Sequence, residues 1–364
     1  MKIFFSTNDL WNLENFRKPL LLELKKKHEL IILTNLKKKK LVNKKTGLKM
    51  YHVNFKSNFN LINDLVNLIV IFFLTLKHKP DIYLNFTIKP ILLCSFVSKL
   101  LKIKSINTVT GLGNLYLGSK LFRIFYIFFY KIFTSKKNYF FFHNKNDLKF
   151  FLKKNMSEKI KSYTTKGSGI NLTDFKNLNP TLKQKKKFLM VSRLIYNKGA
   201  IEFFKAADLL KNNNNLMFEF LGREKNDKFN EIKNYELKKY KSNKNLKISY
   251  FNSNIKKKLQ DANFVVLPSY REGMSKSLME ALASGIPVIA SKVEGNSELV
   301  KNNYNGFFFR AKDYKSLIRC ILKSSKLNKK NYKKISRNCR KFAENYLNEK
   351  KVVLKYSSLI KNIK

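Results

Sequence analysis

Two glutamates with seven residues between them are the side chains in this sequence best suited to chemistry. Glu272 lies in a polar loop, residues 268–273, and Glu280 lies inside the apolar segment that follows. Ionised carboxylates only accept hydrogen bonds, so sugar or ribose hydroxyls are natural partners. Between them a helix is predicted to begin, and the unpaired amides and dipole of a helix start favour an anion. The pattern therefore predicts an anion site flanked by hydroxyl-binding carboxylates.

A structural explanation of the same residues is also open. Ser277 and Glu280 match S-x-x-E, the capping box, in which two side chains satisfy amides of the first helical turn. Glu272 would then be a solvated loop charge. The amides that would face a ligand belong to Gly273, Met274, Ser275 and Lys276.

Two basic side chains in VSRLIYNKGA, residues 191–200, form a second candidate group. Arg193 and Lys198 follow an apolar run and precede a helical one. At the carboxyl end of a strand they could neutralise a diphosphate, Arg with a bidentate fork and Lys as a point charge. On spacing alone, ordinary surface cations are the simpler explanation, because the chain contains 75 Lys and Arg residues.

The glutamates need a strand–helix–strand unit to position them. Residues 264–267 and 288–290 are short apolar runs, and the segment between them carries apolar positions at helical spacing. Gly285 and Pro287 predict the end of that helix. The polar loop therefore lies at the carboxyl end of a strand, where open α/β sheets bind their ligands.

The same alternation of strands and helices runs along the whole chain. It extends from residue 1 to about 165 and restarts after the charge run 183–187, so a domain boundary is expected there. This pattern predicts an α/β protein with parallel sheets covered on both faces. The expected divisions are an N-terminal domain 1–180, a C-terminal domain 181–345 and a final helix 346–364.

The composition adds one anomaly, a formal net charge of +51. Such a charge favours nucleic acid or an anionic membrane surface as a partner. The excess is spread along the chain beside many Asn, Ile and Phe residues, which all have A/T-rich codons, so genome composition is the simpler explanation. The three cysteines lack metal or disulfide spacing, and the N-terminus predicts a first strand with no signal peptide.

Two apolar stretches, residues 68–76 and 121–133, are candidates for membrane contact. The first is about half the length of a membrane span, and the second carries Arg123 and Lys131. We expect neither to cross a bilayer and both to be core helices. A basic, aromatic helix at the membrane interface is the alternative.

The sequence around the glutamates resembles a known family. EGMSKSLME resembles the E-x7-E signature of retaining glycosyltransferases, in particular family 4, and the flanking LPSYREG, EALASGIPVIAS, VEGNSELV and NNYNGFFF agree with it. VSRLIYNKGA resembles the family's G-R-L-x-x-x-K-G element, with Ser192 where Gly is frequent. The resemblance implies two facing doubly wound domains, the GT-B architecture, with a C-terminal helix that crosses back to the first domain.

The resemblance also implies site residues. Arg193 and Lys198 would hold the donor phosphates, Glu280 the ribose, and Glu272 the donor sugar. The runs FLGRE and FNSNI resemble the loops around the base, and WNLENFRKPL, NFTIKP and TVTGLGNLYLG resemble the branch that acts on polyprenyl-diphosphate-linked or lipopolysaccharide glycans. Thr110-Gly111-Leu112 stands where many members have a His, and a capping or packing role is expected for His143. The further residues expected at the site are Gly222, Asn254 and Ile255 for the donor, and Asn12, Asn15, Thr110, Gly111 and Gly113 on the acceptor side.

The expected function is a retaining glycosyltransferase that moves a hexose or N-acetylhexosamine from a UDP-sugar to a lipid-linked or cell-surface polysaccharide acceptor. No metal is expected, because the sequence contains no D-x-D pair to hold one. A cytoplasmic enzyme on the inner face of an anionic membrane, without nucleic acid, is predicted. The alternatives are a nucleotide-sugar epimerase of the same architecture and a basic nucleic-acid-binding protein.

Overall fold

A computed structural model of the protein describes residues 1–36, 47–55, 60–112, 118–223, 231–250 and 255–363. The chain forms two compact units, Met1–Ser168 with Lys350–Lys364, and Gly169–Glu349. Each unit contains an open sheet in which every neighbouring pair of strands is parallel. The predicted α/β class with two doubly wound parallel sheets is confirmed.

The first unit alternates strands with helices. Its strands are β1 (Lys2–Asp9), β2 (Glu29–Asn35), β3 (Lys49–His52), β4 (Ile82–Phe86), β5 (Lys104–Val109), β6 (Tyr139–Phe142) and β7 (Ser162–Thr164). Its helices are α1 (Leu10–Asn12), a π-helical turn (Leu13–Arg17), α2 (Lys18–Lys25), α3 (Leu61–His78), α4 (Ile88–Leu100), α5 (Lys120–Phe133) and α6 (Lys145–Lys153). The sheet order is β3-β2-β1-β4-β5-β6-β7, so the connections change direction between β1 and β4.

Hydrogen-bonded polar side chains cross the centre of this sheet. Ser6 Oγ donates to Asn85 Oδ1 at 2.7 Å, and Asn85 Nδ2 donates to Asn107 Oδ1 at 2.9 Å. All three side chains are fully buried on adjacent strands. A shift of register would leave these groups unpaired in the core, so the contacts favour the observed pairing of β1, β4 and β5.

The last helix of the chain, α14 (Glu349–Ile363), packs on the first sheet. Its apolar stripe, including Val352, Tyr356 and Ile360, belongs to the same core as Ile3 and Phe5 of β1. The predicted return of the C-terminal helix to the first domain is confirmed, because this stripe finds its apolar partners there.

The expectation that the two apolar stretches form core helices is wrong. Helix α3 buries Asn67, Ile71 and Thr75, whereas seven of its large apolar side chains are exposed. Helix α5 likewise buries Tyr126 and Tyr130, whereas six of its large apolar side chains are exposed. The exposed apolar side chains are Leu61, Ile62, Leu65, Val66, Ile69, Phe73 and Leu76 on α3, and Leu121, Phe122, Ile124, Phe125, Phe128 and Ile132 on α5. Of the described helices, α3 alone has the length and hydropathy of a membrane span, which is weak evidence by itself.

The second unit repeats the alternation. Its strands are β8 (Lys186–Arg193), β9 (Leu216–Arg223), β10 (Leu246–Tyr250), β11 (Phe264–Leu267), β12 (Val288–Ser291) and β13 (Gly306–Phe309). Its helices are α7 (Ala200–Leu209), α8 (Asn234–Lys238), α9 (Ile255–Asp261), α10 (Lys276–Ala283), α11 (Glu294–Ser297), α12 (Tyr314–Ser325) and α13 (Lys329–Tyr346). The sheet order is β10-β9-β8-β11-β12-β13, and the connections change direction between β8 and β11.

Of the two roles expected for His143, packing agrees with its 6 % exposure, whereas capping is supplied by Asn144, whose Oδ1 accepts from the amide of Asp147. The second unit begins at Gly169, upstream of the boundary expected after residue 180. The segment between these positions packs on the second unit, where Leu178 N donates to Ser284 O at 3.1 Å.

Candidate active site

The loop between β11 and α10 holds Glu272 in a buried position. Its side chain is 8 % exposed, and Oε1 accepts hydrogen bonds from Lys198 Nζ and Ser269 Oγ, both at 2.6 Å. Charge-assisted bonds of this length fix the carboxylate in one orientation. The alternative in which Glu272 is a solvated loop charge is therefore wrong.

A second loop, between β8 and α7, supplies Lys198. A 3-10 turn, Tyr196–Lys198, leads into Gly199, which has a φ of +72°. A Cβ at this glycine would lie 2.1 Å from Pro268 O, and the amide of Tyr270 donates to Asn197 O at 3.0 Å. The two loops are thus joined through their backbones as well as by the Lys198–Glu272 ion pair. Only glycine allows this approach.

A third segment, the start of α11, closes on the Glu272 loop from another direction. A Cβ at Gly295 would lie 2.5 Å from Glu272 O, so this glycine too permits backbone contact. Ser291 Oγ donates to Ser269 O at 2.5 Å, and Arg271 Nη1 lies 3.2 Å from Glu294 Oε1. The VEGNSELV run therefore braces the loop that presents Glu272.

Helix α10 begins directly after this loop. Ser275 is its N-cap residue, and its Oγ accepts from Leu278 N at 3.4 Å. The alternative capping box of Ser277 with Glu280 is wrong, because Ser277 lies inside the first turn. The first-turn amides and the dipole make this helix start favourable for an anion. At its other end Gly285 has a φ of +78°, as predicted for the residue that ends the helix.

Glu280 is the fifth residue of α10 and is 8 % exposed. Burial raises its pKa to about 7, and the charge of Lys276, 4.0 Å away, only partly opposes this. Burial also lowers the pKa of Lys276. The carboxyl of Glu280 therefore changes charge near neutral pH.

Arg193 ends β8, beside β11 in the sheet, and its side chain is half-buried. Within the described parts of the chain its guanidinium makes no hydrogen bond and no ion pair, whereas its carbonyl accepts from Ser192 Oγ at 2.9 Å. The two predicted cations thus differ: Lys198 is engaged by Glu272, whereas Arg193 remains available. Both loops follow strands at the point where the connections reverse, which is the usual ligand crevice of a doubly wound sheet.

The other expected donor residues are placed as follows. Gly222 lies buried in β9, where a Cβ would meet the ring of Phe220 at 2.2 Å, and Ile255 begins α9. Asn254 lies outside the described residues. Met274 packs partly against the core of the second unit.

The acceptor-side residues belong to the first unit. Asn12 ends α1, and Asn15 Nδ2 donates to Trp11 O at 2.9 Å in the π-helical turn. Thr110 and Gly111 follow β5. Gly113 lies outside the described residues.

Sequence reasoning missed the residues that brace the site. Ser269, Gly295 and Tyr270 carried no recognised signal beyond the family resemblance, although Tyr270 Oη donates to Glu202 Oε1 at 2.6 Å and ties the loop to α7. Such bracing contacts join residues far apart in the chain, which spacing rules do not reach. Within the described ranges, no group of three or more His, Cys, Asp and Glu side chains could hold a metal ion.

Comparisons with known proteins identify the chemistry. Residues 173–342, which include both loops and α10, match the family model described as glycosyl transferases group 1. The chain is a glycosyltransferase. The glycosyltransferase prediction from E-x7-E and its frame is confirmed, and the epimerase alternative is not supported.

The names of similar proteins agree with the assignment of this chain as a glycosyltransferase. It is 28 % identical over 276 residues to the N,N'-diacetylbacillosaminyl-diphospho-undecaprenol alpha-1,3-N-acetylgalactosaminyltransferase of Campylobacter jejuni, covering 70 % of each chain. It is 31 % identical over 179 residues to the UDP-Gal:alpha-D-GlcNAc-diphosphoundecaprenol alpha-1,3-galactosyltransferase of Escherichia coli, covering 47 % of this chain and 44 % of the relative. A solved glycosyltransferase from Rickettsia africae shares the fold, with a TM-score of 0.78, 19 % identity and coverage of 100 % and 98 %.

The titration of Glu280 gives a testable consequence for the glycosyltransferase. Because its pKa in the folded protein, about 7, exceeds the value of 4.5 for a free carboxyl, protonation stabilises the fold below pH 4.5 and this contribution is lost as pH rises through about 7. Glu280→Gln should therefore gain about 1–3 kcal/mol in free energy of unfolding over the native protein at pH 8.5 and little at pH 5. Urea unfolding at both pH values measures this difference.

The matched control is Asp261→Asn, which removes an exposed carboxylate from the same unit. It should show no such pH-dependent gain. An equal difference between Glu280→Gln and the native protein at both pH values would contradict the burial argument.

Proposed function

We propose that this glycosyltransferase moves a hexose or N-acetylhexosamine from a UDP-sugar to a lipid-linked glycan, with retention of the anomeric configuration. The observation that carries the proposal is the contact of Lys198 with Glu272 beside the start of α10. It brings a cation, a carboxylate and a helix N-terminus to one place. These are the groups needed to hold a diphosphate next to a sugar.

In the proposed complex the diphosphate rests against the amides of Gly273, Met274, Ser275 and Lys276. Arg193 binds it with its fork, and Lys198 shares its charge between Glu272 and the β-phosphate. As the bond to the anomeric carbon breaks, negative charge grows on the β-phosphate, and these preorganised groups stabilise it more than they stabilise the ground state. Such groups can do this without a metal, so no metal is proposed.

The carboxylates have separate roles in this proposal. Glu272 accepts hydrogen bonds from sugar hydroxyls and stabilises the positive charge that develops at the anomeric carbon. Glu280 accepts from the ribose hydroxyls when it is ionised. With no side-chain nucleophile assigned, the acceptor hydroxyl attacks on the face that the phosphate leaves, which retains the configuration. The base would contact Gly222, Asn254 and Ile255.

The nature of the substrates is proposed from the relatives. The name of the E. coli relative specifies a UDP-sugar, and both names specify a diphosphoundecaprenol-linked glycan acceptor. By analogy this chain takes a UDP-sugar and a glycan carried on a polyprenyl diphosphate. Asn12, Asn15, Thr110, Gly111 and Gly113 would lie on the acceptor side.

A lipid acceptor places the enzyme at a membrane surface, and the first unit has a suitable face. We define the apolar face as the exposed apolar side chains of α3 and α5 given above. Between these helices lies an apolar groove of about 330 Å³ with α4 on its floor. Lys120, Arg123 and Lys131 of α5 add positive charge. Apolar side chains with neighbouring cations are typical of helices that lie in an anionic membrane interface, so we propose peripheral attachment on the cytoplasmic side.

Removal of one carboxylate tests the donor site. Glu272→Gln should lower kcat for transfer on the order of 10²–10³-fold, since one preorganised electrostatic contact is lost, and Arg193→Ala should weaken UDP binding. Asp261→Asn is the control for both. Rates are measured with UDP-sugar donors, and UDP affinity is measured by calorimetry with EDTA present.

The donor-site assignment fails if Glu272→Gln turns over at the native rate while folded. It fails equally if Arg193→Ala binds UDP as the native protein does. Thermal unfolding of each variant shows whether a lost activity reflects a lost fold.

The membrane proposal is tested by charge placed on the apolar face. Ile124→Glu with Phe125→Glu should reduce binding to vesicles that contain anionic lipid by about tenfold or more, because each side chain loses its apolar burial in the interface. Leu209→Glu is the matched control, since Leu209 in the second unit is 62 % exposed, as is Ile124. Co-sedimentation measures binding. An equal loss of vesicle binding in both variants, or no loss in either, would contradict membrane attachment through the apolar face.

A further inference from the structure

Arg17 occupies an unusual position in the first unit. It ends the π-helical turn after β1, and it is 3 % exposed. Its Cζ lies 4.3 Å above the ring of Phe86, the last residue of β4. β1 and β4 are the neighbours between which the connections of this sheet change direction. Arg17 therefore lies over the crevice in which a doubly wound sheet binds a ligand.

The guanidinium has no polar partner there. Among the described residues its side chain makes no hydrogen bond or ion pair, and its Nε is enclosed without one. Burial lowers the pKa of Arg17 to about 10, so the group remains charged at neutral pH. A buried charge without a partner is strongly unfavourable. Contact with an aromatic ring offsets only part of this cost.

Neighbouring groups add to the same place. His143 follows β6, is 6 % exposed, and its Nε2 is also enclosed without a hydrogen bond. Burial, and secondly the Arg17 charge, lower the pKa of His143 well below its ordinary value, so the imidazole is neutral. Tyr356 of α14 lies 6.0 Å from Phe86 between ring centres, and its hydroxyl lies 2.7 Å from Thr108 Oγ1. The site thus contains a cation, a neutral imidazole and an aromatic wall.

The adjacent start of α4 has no side-chain cap. Thr87 is its N-cap residue, and its hydroxyl bonds Asn8 and the Phe86 carbonyl instead of the first turn of the helix. The dipole of this 13-residue helix adds positive potential beside Phe86. The buried, unpaired guanidinium of Arg17 is the main evidence for an anion site here, and the uncapped helix start is a second, supporting observation.

We propose that Arg17 and His143 form a phosphate-binding subsite in the first unit, and that its ligand is the diphosphate of the lipid-linked acceptor. This inference rests on the proposed acceptor. An oxyanion that accepts two parallel hydrogen bonds from the guanidinium supplies both the charge and the bonds that Arg17 lacks. His143 donates a further bond from Nε2 in the tautomer that carries its proton there. Arg17 is a binding residue for the acceptor and takes no part in the chemistry at the anomeric carbon.

The test compares two acceptors that carry the same N-acetylhexosamine, one linked to a short polyprenyl diphosphate and the other an alkyl glycoside without phosphate. The variants are Arg17→Gln and Arg17→Met, and the control is Lys18→Gln, which removes the next cation in the chain from an exposed position. Steady-state transfer gives kcat and KM for each acceptor. Hydrolysis of the UDP-sugar by water reports on the donor site alone.

Arg17→Gln should raise KM for the diphosphate acceptor about 10–100-fold, which corresponds to one lost charge-assisted contact. Transfer to the alkyl glycoside, donor hydrolysis and the Lys18→Gln enzyme should stay within about twofold of native. An equal loss of kcat/KM for both acceptors would mean that Arg17 only supports the fold. An unchanged KM for the diphosphate acceptor would mean that Arg17 binds no phosphate. Either result overturns the proposal.

A second measurement tests phosphate binding at Arg17 independently of the proposed acceptor. Inorganic pyrophosphate is added to the protein with saturating UDP, and thermal unfolding is followed without any acceptor. Pyrophosphate should raise the Tm of the native and Lys18→Gln proteins and not that of Arg17→Gln or Arg17→Met. If the native enzyme hydrolyses the donor but transfers to neither acceptor, the proposed acceptor is wrong, and the Arg17-dependent shift still decides the subsite. A shift that is equal in all proteins overturns it.

Discussion

The ion pair between Lys198 and Glu272 is the contact on which the site of the second unit depends. It joins two loops that come from strands far apart in the sequence and adjacent in the sheet. A buried pair of this kind stabilises little by itself, because both charges lose their hydration. Its value is positional: because Lys198 and Ser269 both bond one oxygen, the carboxylate is held in one orientation.

The backbone around this pair is arranged to keep it in place. Gly199 and Gly295 allow two neighbouring segments to approach the Glu272 loop more closely than any Cβ would permit. The charges therefore need no reorganisation when a substrate arrives, which is the condition under which electrostatic stabilisation of a transition state is effective. The same logic explains Arg17 in the first unit, where a charge is held at the reversal point of a sheet without a protein partner.

Strong periodic signals predicted the fold well, and local chemistry predicted the site in part. The alternation of strands and helices and the Gly285 stop followed from patterns within short windows, whereas the return of the C-terminal helix was implied by the family resemblance. Helices α3 and α5 were misjudged because apolar content does not show which face of a helix is buried: α3 buries Asn67 and Thr75 and exposes Leu61, Leu65 and Leu76. The alternative capping box put the N-cap at Ser277, which matches S-x-x-E with Glu280, but the N-cap is Ser275, which is followed three residues later by Leu278 and so lacks that pattern. Arg17 could not be recognised, because a buried guanidinium among 75 Lys and Arg residues has no mark in the sequence.

In the proposed complex a nucleotide diphosphate rests against the first turn of α10, between Arg193 and Lys198. A crystal structure of the protein with UDP is the decisive test. We expect the β-phosphate above the amides that begin at Gly273, with Arg193 and Lys198 nitrogens at about 3 Å from its oxygens. UDP bound away from α10, or a phosphate that neither cation reaches, would contradict it.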